Sequence, residues 1–311
     1  MKKLVGVIIA LVVILAVIIL SVVILGNMMG IERFQTGENP LLRFGSVFVG
    51  GLIALVVFLF TRENKAWEIG TRQVVWMAIG AALYAVLSWV FNGTVFVVPS
   101  LSQVSLRPAI CIPMFFGYAF GPVVGFFTGA VGNMFGDALT GFGLSPQWSI
   151  GNGLVGFVAG LPMLFANKKK SLDLVLIIGA VLAVIAAVIY FVNRNLPNML
   201  FYDVANNIFG DATISLFAGI SIIVGLVLVV IVRFAFARNI DIAAAVTWSM
   251  LGNILGIGFA AITDIWINGY SPAAAIVGEF LPAAGPNLIF AAILVPLLVV
   301  AYAAVQKQSG R

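Results

Sequence analysis

The sequence predicts an all-α integral membrane protein with about ten spans, and three observations carry this. Of 311 residues, 62% are apolar and only 9% are charged, against roughly 25% charged in an average soluble domain. The mean hydropathy is +1.17. The chain also divides into ten apolar runs, most near the roughly 20 residues an α-helix needs to cross the hydrocarbon core. Such a chain cannot clothe a water-soluble surface. That excludes a soluble enzyme, a nucleic-acid-binding domain and a secreted disulfide scaffold. Histidine is absent and Cys111 is the single cysteine, so the chain is expected to carry no internal disulfide and no Cys/His metal site.

The runs are residues 4–25, 44–60, 73–91, 109–120, 123–140, 148–165, 172–192, 214–234, 242–267 and 288–304. Gly121-Pro122 separates the short fourth run from the fifth, and proline breaks a helix interior, so these two are expected to form a tight helical hairpin. With the N-terminus in the cytoplasm and strict alternation, twelve of the 16 lysines and arginines fall inside. Arg33, Arg43, Arg107 and Arg194 alone fall outside. This is the positive-inside asymmetry, and it places both termini in the cytoplasm of a multi-pass cell-membrane protein. Met1-Lys2-Lys3 before the first run resembles a secretory signal. The run is longer than the 7–15 residues of a typical signal core, so a retained signal-anchor helix is expected. The polar linker 61–72 (TRENKAWEIGTR) marks a boundary between a two-helix N-terminal extension and the body.

With the topology set, the depth of each polar residue can be read. Arg107 opens the fourth run from outside and Asp137 closes the fifth. Trp148 and Asn152 open the sixth, Asp264 and Trp266 end the ninth, and Asn287 opens the tenth. All lie in the outer third. No carboxylate or arginine falls at the midplane, where a proton relay or alternating-access site would need one; Asn253 is the one deep amide. The pattern describes an outward-open pocket suited to a small polar-aromatic ligand. Arg107 suits a ligand carbonyl or anion, Asp137 and Asp264 suit ring N–H or hydroxyl donors, and Trp148 offers a stacking face. Asn152 and Asn287 complete the candidate substrate-binding set. Plain structural roles stay open: Asp137 pairing only with Arg107, the tryptophans as belt aromatics, the asparagines as helix-end hydrogen-bonders, and Glu279 as a solvated loop residue.

Gly117, Gly121, Gly125 and Gly129 recur every four residues, with Gly132 and Gly136 beyond, Gly156 and Gly160 in the sixth run, and Gly252 and Gly256 in the ninth. That spacing lets helix backbones approach closely. In the third run, Ala78/Ala82 and Ala81/Ala85 form small faces suited to a partner helix. No Ser-His or Cys-His pair, zinc helix or phosphate-binding GxxxxGK[ST] loop occurs. An enzymatic role is therefore not expected, and the chain is not expected to hydrolyse ATP in the usual way.

The stretch 107–162 carries Pro113, the Phe120-Gly121-Pro122 turn, Gly132-Asn133 with Asp137, and Trp148, Asn152 and Gly156 at four-residue intervals. It resembles the substrate-capture (S) component of energy-coupling-factor (ECF) vitamin transporters, of the riboflavin type. Segments 259–271 (FAAITDIWINGYS) and 279–298 (EFLPAAGPNLIFAAILVPLL) resemble that family's last two helices. The resemblance thus covers about 73–166 and 240–306. It implies a six-helix core with a vitamin pocket at the outer side and no ATPase of its own. Delivery would follow docking of the first core helix, here through Ala78, Ala81, Ala82 and Ala85, to a transmembrane coupling subunit driven by two cytoplasmic ATPases.

On this division, residues 1–72 are the N-terminal extension and linker, 73–166 core helices one to four, 167–239 an inserted transmembrane hairpin, and 240–311 core helices five and six with the tail. The four accessory helices depart from the family's six spans. The Asn/Asp-rich hairpin loop 193–211 either caps the pocket, binds an outside partner or is a polar interfacial loop. The resemblance favours a riboflavin-like ligand first and a pyrimidine or thiamine-like one second. Expected partners are the vitamin, the ECF subunits and membrane lipid, with no nucleic acid and no cofactor. The rival classes are an ion-coupled secondary transporter and a non-transporting membrane scaffold or assembly protein.

Overall fold

A computed structural model describes residues 2–92, 97–98, 100, 104–141, 143–194, 202–203, 208–209 and 216–309. The architecture is all-α. Its helices are α1 (Lys2–Met28), α2 (Pro40–Thr61), α3 (Thr71–Asn92), α4 (Cys111–Phe120), α5 (Pro122–Thr140), α6 (Pro146–Gly160), α7 (Lys168–Val192), α8 (Leu216–Ala235), α9 (Ile240–Ile267) and α10 (Pro272–Gln308). Four short 3-10 helices and two antiparallel ladders of two-residue strands, Val97–Val98 with Val104–Ser105 and Tyr202–Asp203 with Ile208–Phe209, complete the described elements. Most of the loop 193–211 lies outside the described residues.

Local chemistry sets the helix ends. Gly121, at φ 113°, turns the chain between α4 and α5, and Pro122 starts α5 where its missing N–H costs nothing. Pro40 and Pro146 start α2 and α6 in the same way. Asn167, Asn239 and Ser271 cap the helices after them by accepting the backbone N–H groups of Lys169, Ile242 and Ala274.

The ten expected runs correspond to the ten helices, and one expected boundary needs correction. By length and composition, seven helices among the described residues are apolar enough to cross a membrane: α1, α2, α3 and α7 to α10. Helices α4 and α6 have only 10 and 15 residues, and α5 is diluted by glycine and by Asn133 and Asp137. These three are shielded by the others and need no continuous apolar surface. The last helix begins at Pro272, well before the expected 288. A π-helical segment, Ala275–Phe280, leads into Pro282, and the helix continues through Pro286 and Pro296. The prolines make its start read as loop. A π turn is one way a helix absorbs such an interruption.

Helix α6 is the buried centre, packed by α4, α5, α9 and α2. Its neighbours meet it backbone to backbone. A Cβ on Gly117 or Gly125 would strike the Gly156 carbonyl oxygen, and one on Gly129 would strike that of Asn152. On the other face, a Cβ on Gly252 would lie 2.5 Å from the Val155 carbonyl oxygen. The four-residue glycine spacing is therefore packing geometry. Gly156→Ala is expected to destabilise by about 1–3 kcal/mol, the usual cost of overpacking, because the obstacle is backbone. Thermal unfolding in mild detergent reads this, with Gly45→Ala, where nothing lies within 4 Å of the new Cβ, as the neutral control.

The accessory helices flank this core. Helix α1 packs on α5, and α2 on α6 and α9; α7 packs on α9, and α8 on α10. The linker after α2 is tied down despite its polarity. Trp67 is fully buried, edge-on to Phe58 with ring centroids 5.4 Å apart, and its Nε1 donates to the Thr61 carbonyl at 3.1 Å. Asn64 donates to the Leu164 carbonyl at 2.9 Å. At that same end, Asp241 accepts from the Tyr118 hydroxyl at 2.7 Å and from Lys168 at 2.8 Å, joining α4, α7 and α9.

Candidate substrate-binding site

At the opposite end of the bundle, the helix ends enclose a cavity of about 330 Å³, within the size range of small-molecule sites. Arg107, Asp137, Trp148, Asn152, Asp264 and Asn287 all line it. The structure thus brings together, around one space, all six residues of the candidate substrate-binding set.

One wall belongs to Arg107. Its guanidinium pairs with Asp137 Oδ1 at 3.0 Å and donates to Asn133 Oδ1. Asn133 Nδ2 returns a hydrogen bond to Asp137 Oδ2 at 2.8 Å. Asn133 and Asp137 stand four apart on α5, so they share a helix face. Arg107 and Asp137 therefore do pair, and both still border the cavity.

The facing wall centres on Asp264, near the end of α9. Trp148 Nε1 donates to Asp264 Oδ2 at 2.8 Å, and Gln147 Nε2 to Oδ1 at 2.9 Å. Gln147 Oε1 accepts from Arg43 Nη1 at 3.2 Å, and Arg43 Nη2 donates to Asn268 Oδ1 at 3.1 Å. Charge-assisted bonds of this kind are the stronger ones, and they fix the Trp148 ring while it stays half-buried at the cavity.

Amides form the floor. Asn152 Oδ1 accepts from the Tyr84 hydroxyl at 2.7 Å, and its Nδ2 donates to the Trp148 carbonyl at 2.8 Å. Asn287 Nδ2 donates to Asn253 Oδ1 at 3.1 Å, and Asn253 Nδ2 to the Ala284 carbonyl at 2.9 Å. The deep amide Asn253 thus serves as an interhelical bond behind the cavity. Two arginines and two carboxylates line this space, so it offers donors, acceptors and an aromatic face with little net charge.

Two expectations outside the cavity resolve differently. Trp266 is 65% exposed on the bundle's outer surface, as an interfacial belt residue would be. Glu279, read as a solvated loop residue, is fully buried in the π segment of α10, because that segment is helix and not loop. On α3 the alanines divide between two faces. Ala78 and Ala82 are exposed, while Ala81 and Ala85 are buried against α5 near Gly132 and Gly136.

Four polar contributors, among them Asn268 just past the end of α9, escaped the sequence reading. Arg43 counted only as a topology charge, although an arginine one turn inside a spanning helix is a functional signal in itself. Gln147 stands beside Trp148 but outside the apolar run. Tyr84 lies mid-helix, with nothing in its spacing to mark it.

A multi-helix membrane protein with a ligand-sized polar cavity among its helix ends has the architecture of a membrane-embedded solute-binding subunit. The family model described as "ECF-type riboflavin transporter, S component" matches residues 68–234, and the chain belongs to this family. It is a multi-pass membrane S component of the ECF type. A UPF0397 protein of Vibrio atlanticus (strain LGP32) is 32% identical over 173 residues, 54% of this chain and 92% of that protein. UPF0397 proteins of Aliivibrio fischeri strains MJ11 and ATCC 700601 / ES114 are each 33% identical over 105 residues, 33% of this chain and about half (55%) of their own length. No solved structure matches the chain. The family match and the sequence resemblance share α3 to α6. The match continues through α7 and α8 and stops before α9, whereas Asp264 of α9 and Asn287 of α10 line the cavity.

Proposed function

We propose that the chain is the substrate-capture subunit of an ECF-type importer and takes up a vitamin or vitamin precursor from outside the cell. A riboflavin-like ligand is the first choice, a pyrimidine or thiamine-like one the second. The observation that carries the reading is the convergence of Arg107, Asp137, Trp148, Asn152, Asp264 and Asn287 on one cavity. A half-buried indole beside two carboxylates and two amides suits a flat heterocycle bearing N–H and carbonyl groups. The cavity end faces outside and both termini inside, a reading that the positive-inside charge distribution supports. The core is divided as residues 73–166 with 240–311, flanked by the pairs in 1–72 and 167–239; the lining of the cavity by α5, α6, α9 and α10 supports this, with Arg43 of α2 reaching it from the N-terminal pair.

Substrate then passes inward after α3 docks on a transmembrane coupling subunit, with two cytoplasmic ATPases supplying the energy. Of the four alanines, Ala78 and Ala82 are open to such contact. The direct test is ligand content: protein purified in mild detergent is denatured and its released small molecules are identified by mass spectrometry. One vitamin per chain, missing from Asn152→Ala, is the expected result. A protein that is empty and gives no thermal shift with a vitamin panel would shift the reading to a scaffold.

A further inference from the structure

Arg43 reaches the cavity from α2, a helix of the N-terminal pair that precedes the family match at residue 68. It is 7% exposed. A guanidinium carries five N–H donors, and three of these are used: Nε on the Glu38 carbonyl at 2.7 Å, Nη1 on Gln147 and Nη2 on Asn268. All three acceptors are neutral oxygens. Among the described residues no carboxylate forms an ion pair with Arg43, whereas Arg107 has Asp137 at 3.0 Å. The loop entering α2 is also stitched to the cavity rim. Leu144 N donates to the Gln35 carbonyl at 2.8 Å, and Asn39 Nδ2 to that of Ile267 at 2.8 Å. A buried cation is costly unless its donors are taken up. This one is held rigidly at a cavity wall with one N–H left on each Nη.

We propose that Arg43 contacts the substrate, giving its two remaining N–H groups to a substrate oxygen, so that the N-terminal helix pair is a working wall of the pocket. The oxygen is a ring carbonyl or an acid group, both of which a guanidinium fork can grip. This rests on the capture role proposed above. Two experiments test it. In a Cys111→Ser background, the thiol of an R43C variant should react with a small charged methanethiosulfonate and be shielded by bound riboflavin. In titrations, R43Q should weaken riboflavin binding about ten- to hundredfold, the range for hydrogen bonds to a charged group, with partial recovery in R43K. A loss far greater for flavin mononucleotide than for riboflavin assigns the acid group; equal losses assign the ring carbonyl.

A thiol that the reagent cannot reach overturns the inference whatever the substrate is. So does unchanged flavin affinity in R43Q, including the case where only its ligand-free thermal stability falls, since that is a purely structural arginine. Failure of the wild-type protein to bind either flavin would instead overturn the flavin reading of the parent proposal, and the labelling result still decides whether position 43 faces the pocket.

Discussion

Asp264→Ala is expected to weaken substrate binding by about a hundredfold or more while leaving a folded protein. The carboxylate accepts from both Trp148 Nε1 and Gln147 Nε2, so its loss strands two donors on one wall. A buried donor left without its partner costs about 1–3 kcal/mol, and about 1.4 kcal/mol is tenfold in affinity. The indole loses the bond that fixes its plane, and Arg43 loses the negative charge behind Gln147. Asp264→Asn should fall between the two, because an amide can still accept from one donor while its own N–H₂ opposes the other. Calorimetric titration with the vitamin identified by mass spectrometry reads the effect. Equal affinity in Asp264→Ala and wild type would remove this wall from the site.

Ala78→Leu is expected to cut transport in cells at least about tenfold while leaving substrate affinity unchanged, and Ala81→Leu should do nearly the opposite. The two alanines are three residues apart on α3 but face different surroundings. Ala78 is exposed, so a larger side chain there obstructs only a partner. Ala81 is buried against α5, where a Cβ on Gly132 would already lie 2.9 Å from the Ala81 carbonyl oxygen. Overpacking that contact should cost about 1–3 kcal/mol and shift the cavity wall that α5 carries. Uptake of labelled vitamin by cells expressing a complete ECF module, paired with titrations on the purified subunit, separates the two effects. Unimpaired transport in Ala78→Leu would show that the partner docks elsewhere.

Much of this architecture is legible in sequence because the membrane imposes one-dimensional rules. Apolar runs locate helices, and the placement of lysine and arginine assigns loops to sides. Depth then sorts Arg107, Asp137, Trp148, Asn152, Asp264 and Asn287 to one level, and residues at one level of a compact bundle converge around its axis. Depth says nothing of rotation about each helix axis. Ala78 and Ala81 therefore read alike, and Trp148 and Trp266 read alike, although one indole borders the cavity and the other lies on the outer surface. The segment 272–287 reads as loop because Pro272, Pro282 and Pro286 interrupt it, and Glu279 inherits that error. Arg43 escapes for a different reason. Its role depends on how α2 sits against α6 and α9, which is a tertiary fact that no local pattern encodes.

The glycine contacts around α6 also bear on how the protein can change over evolutionary time. Where backbone meets backbone at Gly117, Gly125, Gly129 and Gly156, no side chain can be added without parting the helices, so the frame has almost no neutral variants. The residues at the rim are under no such restriction, and α2 reaches the cavity from outside that frame. A lineage acquiring a new substrate would then keep its inner helices and diversify its rim. Inherited rigidity at the centre makes innovation a matter of the edge.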